Sequence, residues 1–303
     1  MNDDALIEKV NMLLNESAST DAAASSDLFS GTVLVAHHQQ PILTAACGYA
    51  IHPNVLLNRV DTKFNIASVT KMLTEVTVMR LVAEGKLNLH VPVATYCTDL
   101  PHAGEITIHQ LLTHTAGFDR YWNDAYRAAR SDLRTINDYL KLFASEPLLF
   151  PPGTRHHYGN TGYVTLGALI EQVTGETYFD HMRRSIYRPL GMNDTDHYEL
   201  DLPVVNCAVG YTRDNWFGPV DGQLRANTFI YALKGSPSEH CYSTVNDLFL
   251  FCQALETGWL LDPQHLEMCI TPQATSEQPG SAMGMAFILL MMANMDGWLV
   301  TVG

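Results

Sequence analysis

The chain has 303 residues, of which 47% are hydrophobic and 17% charged, a composition typical of a globular protein with a sizeable core. Its formal net charge of -14 argues against nucleic acid and anionic membranes as partners. No apolar run reaches the ~18 residues that span a bilayer. The acidic first residues lack the basic and apolar regions of a signal peptide. We therefore expect a cytoplasmic protein, with a trimmed secreted form as the alternative.

The first part of the chain predicts a helix, a hairpin and a second helix. Apolar spacing over residues 1–15 is typical of an amphipathic helix, and the small, polar stretch 17–27 predicts a loop. Residues 29–36 and 41–46 are rich in strand formers and predict a hairpin, although the turn between them lacks Asn-Gly. The helix that follows residue 68 is apolar nearly all round, which indicates burial, and Gly85 ends it.

The middle of the chain is predicted to be helical and the end to return to strands. We expect helices at 106–112, 121–145, 164–173, 178–186 and 243–257, and strands at 283–292 and 298–302. Ser243 and Thr244 offer an N-cap for the last helix. This order predicts an α+β fold whose antiparallel sheet is built from both chain ends around an inserted helical region.

We expect this arrangement to form a single domain over residues 1–303. Its parts are an N-terminal helix and loop (1–28), a sheet region (29–60 and 281–303) and a mainly helical region (61–280).

Ser68 and Lys71 form the first candidate motif, three residues apart at the start of the apolar helix. Residues at i and i+3 share a helix face, so the amine can reach the hydroxyl. A serine needs a neighbouring base to become a nucleophile, and a lysine can be that base where desolvation lowers its pKa. The alternative is that Lys71 lies on the surface and pairs with Glu75.

Tyr158 and Asn160 form the second candidate motif, in the segment before helix 164–173. In an extended segment, residues two apart face the same side. A phenolate beside an ammonium can act as a general base, and the amide can hold a substrate carbonyl or fix the lysine. The alternative is that Tyr158 packs in a loop and Asn160 caps a helix beginning at Thr161.

The cysteines and histidines predict no further site. Six cysteines are scattered without a Cys-x-x-Cys pair, which favours free thiols over a disulfide framework. The 13 histidines include no His-Glu-x-x-His, and the pairs at 37–38 and 156–157 are adjacent rather than on one helix face. We therefore expect neither a metal nor a cofactor.

Together the two motifs resemble the serine β-lactamase and penicillin-binding-protein superfamily. The closest resemblance is to its class C-like branch, which includes family VIII carboxylesterases and D-alanyl-D-alanine peptidase relatives. It rests on the nucleophile segment 64–72, the Leu-Leu-Thr-His-Thr-Ala-Gly loop 111–117, the Phe-Pro-Pro-Gly-Thr to Tyr-Gly-Asn segment 150–163, and residues 188–192 and 242–248. The resemblance spans roughly residues 29 to 303.

The resemblance implies a serine hydrolase that forms an acyl-enzyme with small ester, amide or β-lactam substrates, as an esterase, a β-lactamase or a D-Ala peptidase. It implies that Ser68 is acylated, that Lys71 and Tyr158 share the general-base role, and that Asn160 orients the substrate and the lysine. The Ser68 backbone N–H would give one half of an oxyanion hole. The expected partner is a small-molecule substrate, with a second copy of the chain as another candidate.

The sequence departs from the family's pattern near its last residue. Relatives carry a Lys-Thr-Gly or His-x-Gly motif on a strand that lines the cleft and supplies the second oxyanion donor. The given sequence reaches Gly303 without it, and Lys234-Gly235 is only a remote candidate. We therefore expect the family's last strands to be missing, either because the chain is a fragment or because it closes its sheet in another way.

This departure leaves a second function open. Because losing one oxyanion donor costs about 10²–10³ in rate, the chain could instead be a catalytically weak or inactive relative that acts as a binding or assembly protein. A second departure is the bulky stretch 238–241, Ser-Glu-His-Cys, where relatives tend to be glycine-rich. This stretch borders the cleft in the family, so it should affect the range of substrates.

Overall fold

The computed structural model describes residues 3–17, 29–52, 56–213, 223–271, 274–275, 282–283 and 297–302. The α-helices are α1 (Asp3–Ser17), α2 (Thr70–Ala83), α3 (Ile108–Leu112), α4 (Asp124–Ala129), α5 (Ile136–Leu140), α6 (Thr161–Thr174), α7 (Tyr178–Met182), α8 (Arg188–Leu190), α9 (Val245–Glu256) and α10 (Pro263–Ile270). The strands are β1 (Gly31–His37), β2 (Gln40–Cys47), β3 (Tyr49–Ile51), β4 (Leu56–Leu57), β5 (Phe64–Asn65), β6 (Tyr211–Thr212), β7 (Arg225–Ala226), β8 (Tyr242–Ser243), β9 (Ala274–Thr275), β10 (Ala282–Met283) and β11 (Gly297–Val302).

The largest sheet in the described part of the chain joins the two chain ends, as the sequence predicts. Its strand order is β11-β1-β2 and both pairings are antiparallel. The β1–β2 turn places His38 and Gln39 at φ angles of 49° and 60°. Two successive positive φ angles are typical of the tight hairpin turn that usually carries Asn-Gly, so the hairpin forms with unusual residues at its tip.

Helix α2 forms the centre of the helical region. Its residues from Thr70 to Met79 are all buried, and so is Leu81. It contacts α6 and α10, while α9 packs on β1 and β11. The predicted burial of this helix is therefore confirmed, and Gly85, with a φ of 71°, follows its end. The described elements form an α+β fold, as predicted.

The segment predicted as one helix over 121–145 contains two short helices, α4 and α5. Between them the chain turns away, because the carbonyl oxygens of Arg130 and Leu133 accept hydrogen bonds of 2.8 and 3.1 Å from the backbone of Leu233 and Lys234. Thr135 then starts α5 with a capping box. These contacts with a segment about a hundred residues away override the local helical pattern.

Other predicted elements differ less. Helix α7 ends at Met182, and one π-helical turn, Arg183–Tyr187, leads into α8. Thr244 caps α9, whereas Ser243 belongs to β8. Strand β11 confirms the strand predicted at 298–302. The predicted loop 17–27 and most of the predicted strand 283–292 lie outside the described residues.

Two further sequence predictions concern disulfides and membrane-spanning helices. All six cysteines are free thiols, as predicted. No helix in the described part of the chain has the length and hydrophobicity needed to cross a membrane.

Candidate active site

Ser68 lies in a strained turn at the start of the central helix. It occupies the middle of a 3₁₀ turn, Ala67–Val69, that leads directly into α2. Ala67 has a φ of 45°, in the left-handed region that non-glycine residues rarely adopt. The side chain of Asn65 holds this conformation by accepting a 2.9 Å hydrogen bond from the Ala67 backbone N–H. Strain of this kind concentrates at functional sites.

Lys71 is fully buried beneath Ser68, with 0% of its surface exposed. Its Nζ donates to Ser68 Oγ at 3.1 Å, to Asn160 Oδ1 at 2.8 Å and to the Ser238 carbonyl at 2.8 Å. These three acceptors match the three donors of an ammonium group. The alternative in which Lys71 lies on the surface and pairs with Glu75 is therefore wrong.

The electrostatics of this pocket bring the lysine close to the range in which it can act as a base. Burial lowers the pKa of Lys71 to about 8, and the nearby Glu239 carboxylate opposes that shift. At neutral pH the amine is mostly protonated. The Lys71 ammonium group therefore loses its proton near pH 8, whereas an ordinary lysine does so only above about pH 10.

Tyr158 contacts the same hydroxyl from the other side. Its phenol donates a 2.9 Å hydrogen bond to Ser68 Oγ, and its ring centroid lies 4.6 Å from that of His114. Burial raises the pKa of Tyr158, and the hydrogen bond with Ser68 offsets part of this shift. The described arrangement therefore contains a neutral phenol, so Tyr158 does not simply pack in a loop.

Asn160 occupies the N-cap position of α6, but its side chain makes no capping hydrogen bond. The amide oxygen instead accepts from Lys71. The alternative in which Asn160 only caps the helix is therefore wrong. The structure thus brings all four predicted site residues together, although 89 residues separate Lys71 from Asn160.

A cavity of about 310 Å³ opens above Ser68. Its lining consists of Ser68, Arg120, Trp122, Tyr158, Gly159, Asn160 and Glu239. Sequence reasoning identified three of these as site residues and missed Arg120 and Trp122. The only signal for these two was a charged and an aromatic residue shortly after the Gly-ended loop 111–117.

The bulky stretch 238–241 forms part of the cavity wall, as the resemblance implies. Ser236 and Glu239 exchange backbone hydrogen bonds of 2.9 and 3.1 Å in a tight turn. His240, the next residue, has a φ of 65°, a conformation that glycine adopts without strain. The side chain of Glu239 reaches the cavity, whereas the ring of His240 packs 4.2 Å from that of Tyr231.

The remote candidate for the missing motif lies away from the cavity. Lys234 forms a 3.2 Å ion pair with Glu199 and sits 4.3 Å above the ring of Phe179, so Lys234-Gly235 does not line the cavity. Within the part of the chain that the structure describes, no group of three or more His, Cys, Asp or Glu side chains could hold a metal ion.

Comparison with known proteins defines the family. A family model described as Beta-lactamase matches residues 18–302, and the chain belongs to this family. The solved penicillin-binding protein from Bacillus halodurans superposes with a TM-score of 0.76 at 30% identity, over 84% of this chain and 77% of that one. The D-amino acid amidase from Ochrobactrum anthropi SV3, complexed with D-phenylalanine, gives 0.74 at 27% identity, over 90% and 78%.

An esterase is among the curated relatives. Esterase EstB from Burkholderia gladioli is 34% identical over 184 residues, which are 55% of this chain and 46% of the esterase. The chain spans only 46% to 60% of the length of the first three curated relatives it matches.

Proposed function

We propose that the protein is a serine hydrolase that cleaves small esters or amides through an acyl-enzyme on Ser68. The observation that carries this proposal is the pair of hydrogen bonds that converge on Ser68 Oγ, 3.1 Å from Lys71 Nζ and 2.9 Å from the Tyr158 hydroxyl. A nucleophile with two proton-transfer groups in direct contact, at the floor of a cavity, is what acyl transfer requires.

Lys71 is the better candidate for the base that activates Ser68. Its pKa is lowered to about 8, whereas burial moves the pKa of Tyr158 upward, away from the physiological range. In the protonated state all three N–H donors of Lys71 are used. Loss of one proton leaves a lone pair that can accept from Ser68, so the hydrogen bond between them reverses.

The proposed acylation step forms an ester bond to Ser68 and releases the leaving group of the substrate. The Ser68 oxygen attacks the substrate carbonyl carbon while its proton passes to the Lys71 amine. The tetrahedral intermediate collapses, the bond to the leaving alcohol or amine breaks, and that group takes a proton from the Tyr158 hydroxyl. The acyl-enzyme then holds Lys71 as an ammonium and Tyr158 as a phenolate, on either side of the Ser68 oxygen that contacts both groups in the free protein.

Deacylation uses the same groups with water as the nucleophile. Water gives a proton to the Tyr158 phenolate and attacks the acyl carbon, and Ser68 leaves as the alcohol with a proton from the Lys71 ammonium group. The Ser68 backbone N–H, in the turn that leads into α2, would donate to the developing oxyanion. Asn160 holds Lys71 in position through its amide oxygen and leaves its N–H₂ group for the substrate.

The deciding experiment is covalent labelling of Ser68. Wild-type protein and Ser68→Ala are incubated with a fluorophosphonate or a penicillin, and intact masses are measured. We expect one adduct on the wild type and none on the variant. No adduct on either, from protein with normal circular dichroism, would overturn the catalytic proposal in favour of a binding or assembly role. Hydrolysis rates for p-nitrophenyl butyrate and a chromogenic cephalosporin then rank esterase against β-lactamase activity.

A further inference from the structure

The carboxylate of Glu239 is an unusual group to find in the wall of the Ser68 cavity. Only 6% of this residue is exposed, yet it lines the cavity. Its Oε1 accepts a 2.9 Å hydrogen bond from the Tyr121 hydroxyl and a 3.1 Å hydrogen bond from Trp122 Nε1. Its Oε2 lies 3.4 Å from His240 Nε2.

The described side chains in direct contact with this carboxylate are neutral. Burial lowers the pKa of His240, which favours the neutral ring, and its Nδ1 lies 3.0 Å from Asn65 Nδ2. The phenol and the indole are also neutral donors. The charge that acts on this carboxylate is the ammonium group of Lys71, whose pKa Glu239 raises.

In the reactive state, neither Lys71 nor Arg120, the basic residues that the structure describes at the cavity, balances the Glu239 carboxylate. Lys71 directs its three donors at Ser68, Asn160 and the Ser238 carbonyl, and it must lose its charge before it can act as a base. Arg120 lines the cavity but is exposed, so water and salt screen its charge. When Lys71 is neutral, Glu239 therefore remains as the buried acidic residue in the described lining of the cavity.

An aromatic ring accompanies the carboxylate. The Trp122 indole lines the same cavity and is held by its bond to Glu239 and by stacking on Tyr126, with ring centroids 5.2 Å apart and an angle of 12°. A carboxylate beside the face or edge of an aromatic ring is the combination that attracts organic ammonium groups.

We propose that Glu239 and Trp122 form a subsite for a positively charged nitrogen in the acyl part of the substrate. The enzyme would then prefer esters or amides of amino-substituted acids over neutral acids of the same shape. This inference rests on the proposed function of Ser68 for its kinetic consequences, but the subsite itself can be tested by binding alone.

The kinetic test compares two esters that differ in one charge. These are p-nitrophenyl 4-(trimethylammonio)butanoate and its neutral isostere, p-nitrophenyl 5,5-dimethylhexanoate. We expect wild-type kcat/KM to be at least about tenfold higher for the cationic ester, and the ratio to fall toward one in Glu239→Gln. Equal values for the wild type, or an unchanged ratio in the variant, would overturn the proposal.

Two controls isolate the charge. Glutamine keeps an Oε1 acceptor for Tyr121 and Trp122, so Glu239→Gln should fold, which its circular dichroism and melting temperature will show. Asp119→Asn removes an exposed carboxylate next to Arg120 and should leave the preference unchanged. If Asp119→Asn abolishes the preference as Glu239→Gln does, the effect is a general one of surface charge and the subsite is rejected.

The binding test does not depend on turnover. Ser68→Ala protein is titrated with each ester, and Kd is measured by calorimetry. We expect the cationic ester to bind at least about tenfold more tightly. A difference in Kd without covalent labelling of the wild type would retain the subsite and reject the proposed catalysis. Equal Kd values would reject the subsite whatever the outcome of the labelling experiment.

Discussion

Lys71 Nζ donates a 2.8 Å hydrogen bond to the backbone carbonyl of Ser238, a residue 167 positions away in the chain. This bond ties the nucleophile helix to the turn that carries Glu239. The group proposed to activate Ser68 therefore also fixes the wall of the substrate cavity. One hydrogen bond therefore joins the proposed base to the turn of the proposed subsite.

Replacement of Lys71 by alanine should lower the rate of turnover by at least about 10²–10⁴-fold. The reason is that no other described amine contacts Ser68 Oγ. The fold should remain, since an apolar side chain in a buried site avoids the cost of desolvating an ammonium group. Steady-state hydrolysis and circular dichroism check both statements. Lys71→Met is the matched control of similar length without the amine. Activity that persists in both variants would contradict the assignment of the base.

The rate should depend on pH through the same lysine. Because the neutral amine is the reactive form and the pKa of Lys71 is about 8, kcat/KM should be low at pH 6 and rise as pH increases through about 8. The Glu239 carboxylate raises this pKa, so Glu239→Gln should move the rise to lower pH. A pH–rate profile of each protein tests the sign, and a shift to higher pH would be inconsistent with the described electrostatics.

Tyr158→Phe removes one hydroxyl and keeps the ring. We expect turnover to fall by about 10²–10⁴-fold, since the leaving group loses its proton donor. The ring contacts with His114 and Lys71 should remain, so the melting temperature should change little. Rates with p-nitrophenyl and with alkyl esters separate the roles, because a good leaving group needs less protonation. An equal loss for both substrates would argue against proton donation by Tyr158.

Gly167→Ala should disturb the cavity wall from a distance. A Cβ atom on Gly167 would lie 2.2 Å from Cγ of Pro237, which precedes Ser238. Overpacking of this kind typically costs about 1–3 kcal/mol, and it should shift the turn that Lys71 holds. The free energy of unfolding, measured with denaturant, and the rate of turnover should both fall. Gly104→Ala, where a Cβ atom would meet nothing within 4 Å, is the control and should alter neither.

Glu75→Gln should stabilise the protein most at higher pH. Glu75 is fully buried, and neither carboxyl oxygen has a hydrogen bond of ordinary geometry to a described residue. Burial raises its pKa well above 4.5, with a small opposing effect of the Cys269 thiol. The folded state therefore holds a proton that the unfolded state releases, so this group lowers stability as pH rises above 4.5. Each pKa unit corresponds to about 1.4 kcal/mol.

The measurement is urea unfolding of wild type and Glu75→Gln at pH 5 and pH 8. The gain in the free energy of unfolding should be larger at pH 8. A larger gain at pH 5 would show that Glu75 is ionised in the folded protein. Glu8→Gln, at an exposed carboxylate on α1, should give no comparable difference between the two pH values.

Local features of the chain were predictable from sequence because they depend on neighbouring residues. The apolar run in α2, the strand formers of the hairpin and the spacing of Ser68 and Lys71 act within one or two turns of structure. The spacing of Tyr158 and Asn160 made them candidates, but only the resemblance placed them beside the lysine, because no local pattern could establish that contact. The single helix predicted over 121–145 was wrong because distant backbone partners outweighed its local periodicity.

The sequence by itself therefore determined the elements, the family and the four residues proposed for the chemistry. Only the tertiary structure decided how Lys71 uses its donors and that Glu239 and Trp122 face the substrate cavity. The physical reason is that the charge state of a lysine and the direction of a carboxylate depend on burial and on partners many residues away. Such contacts exist only once the helical region has packed.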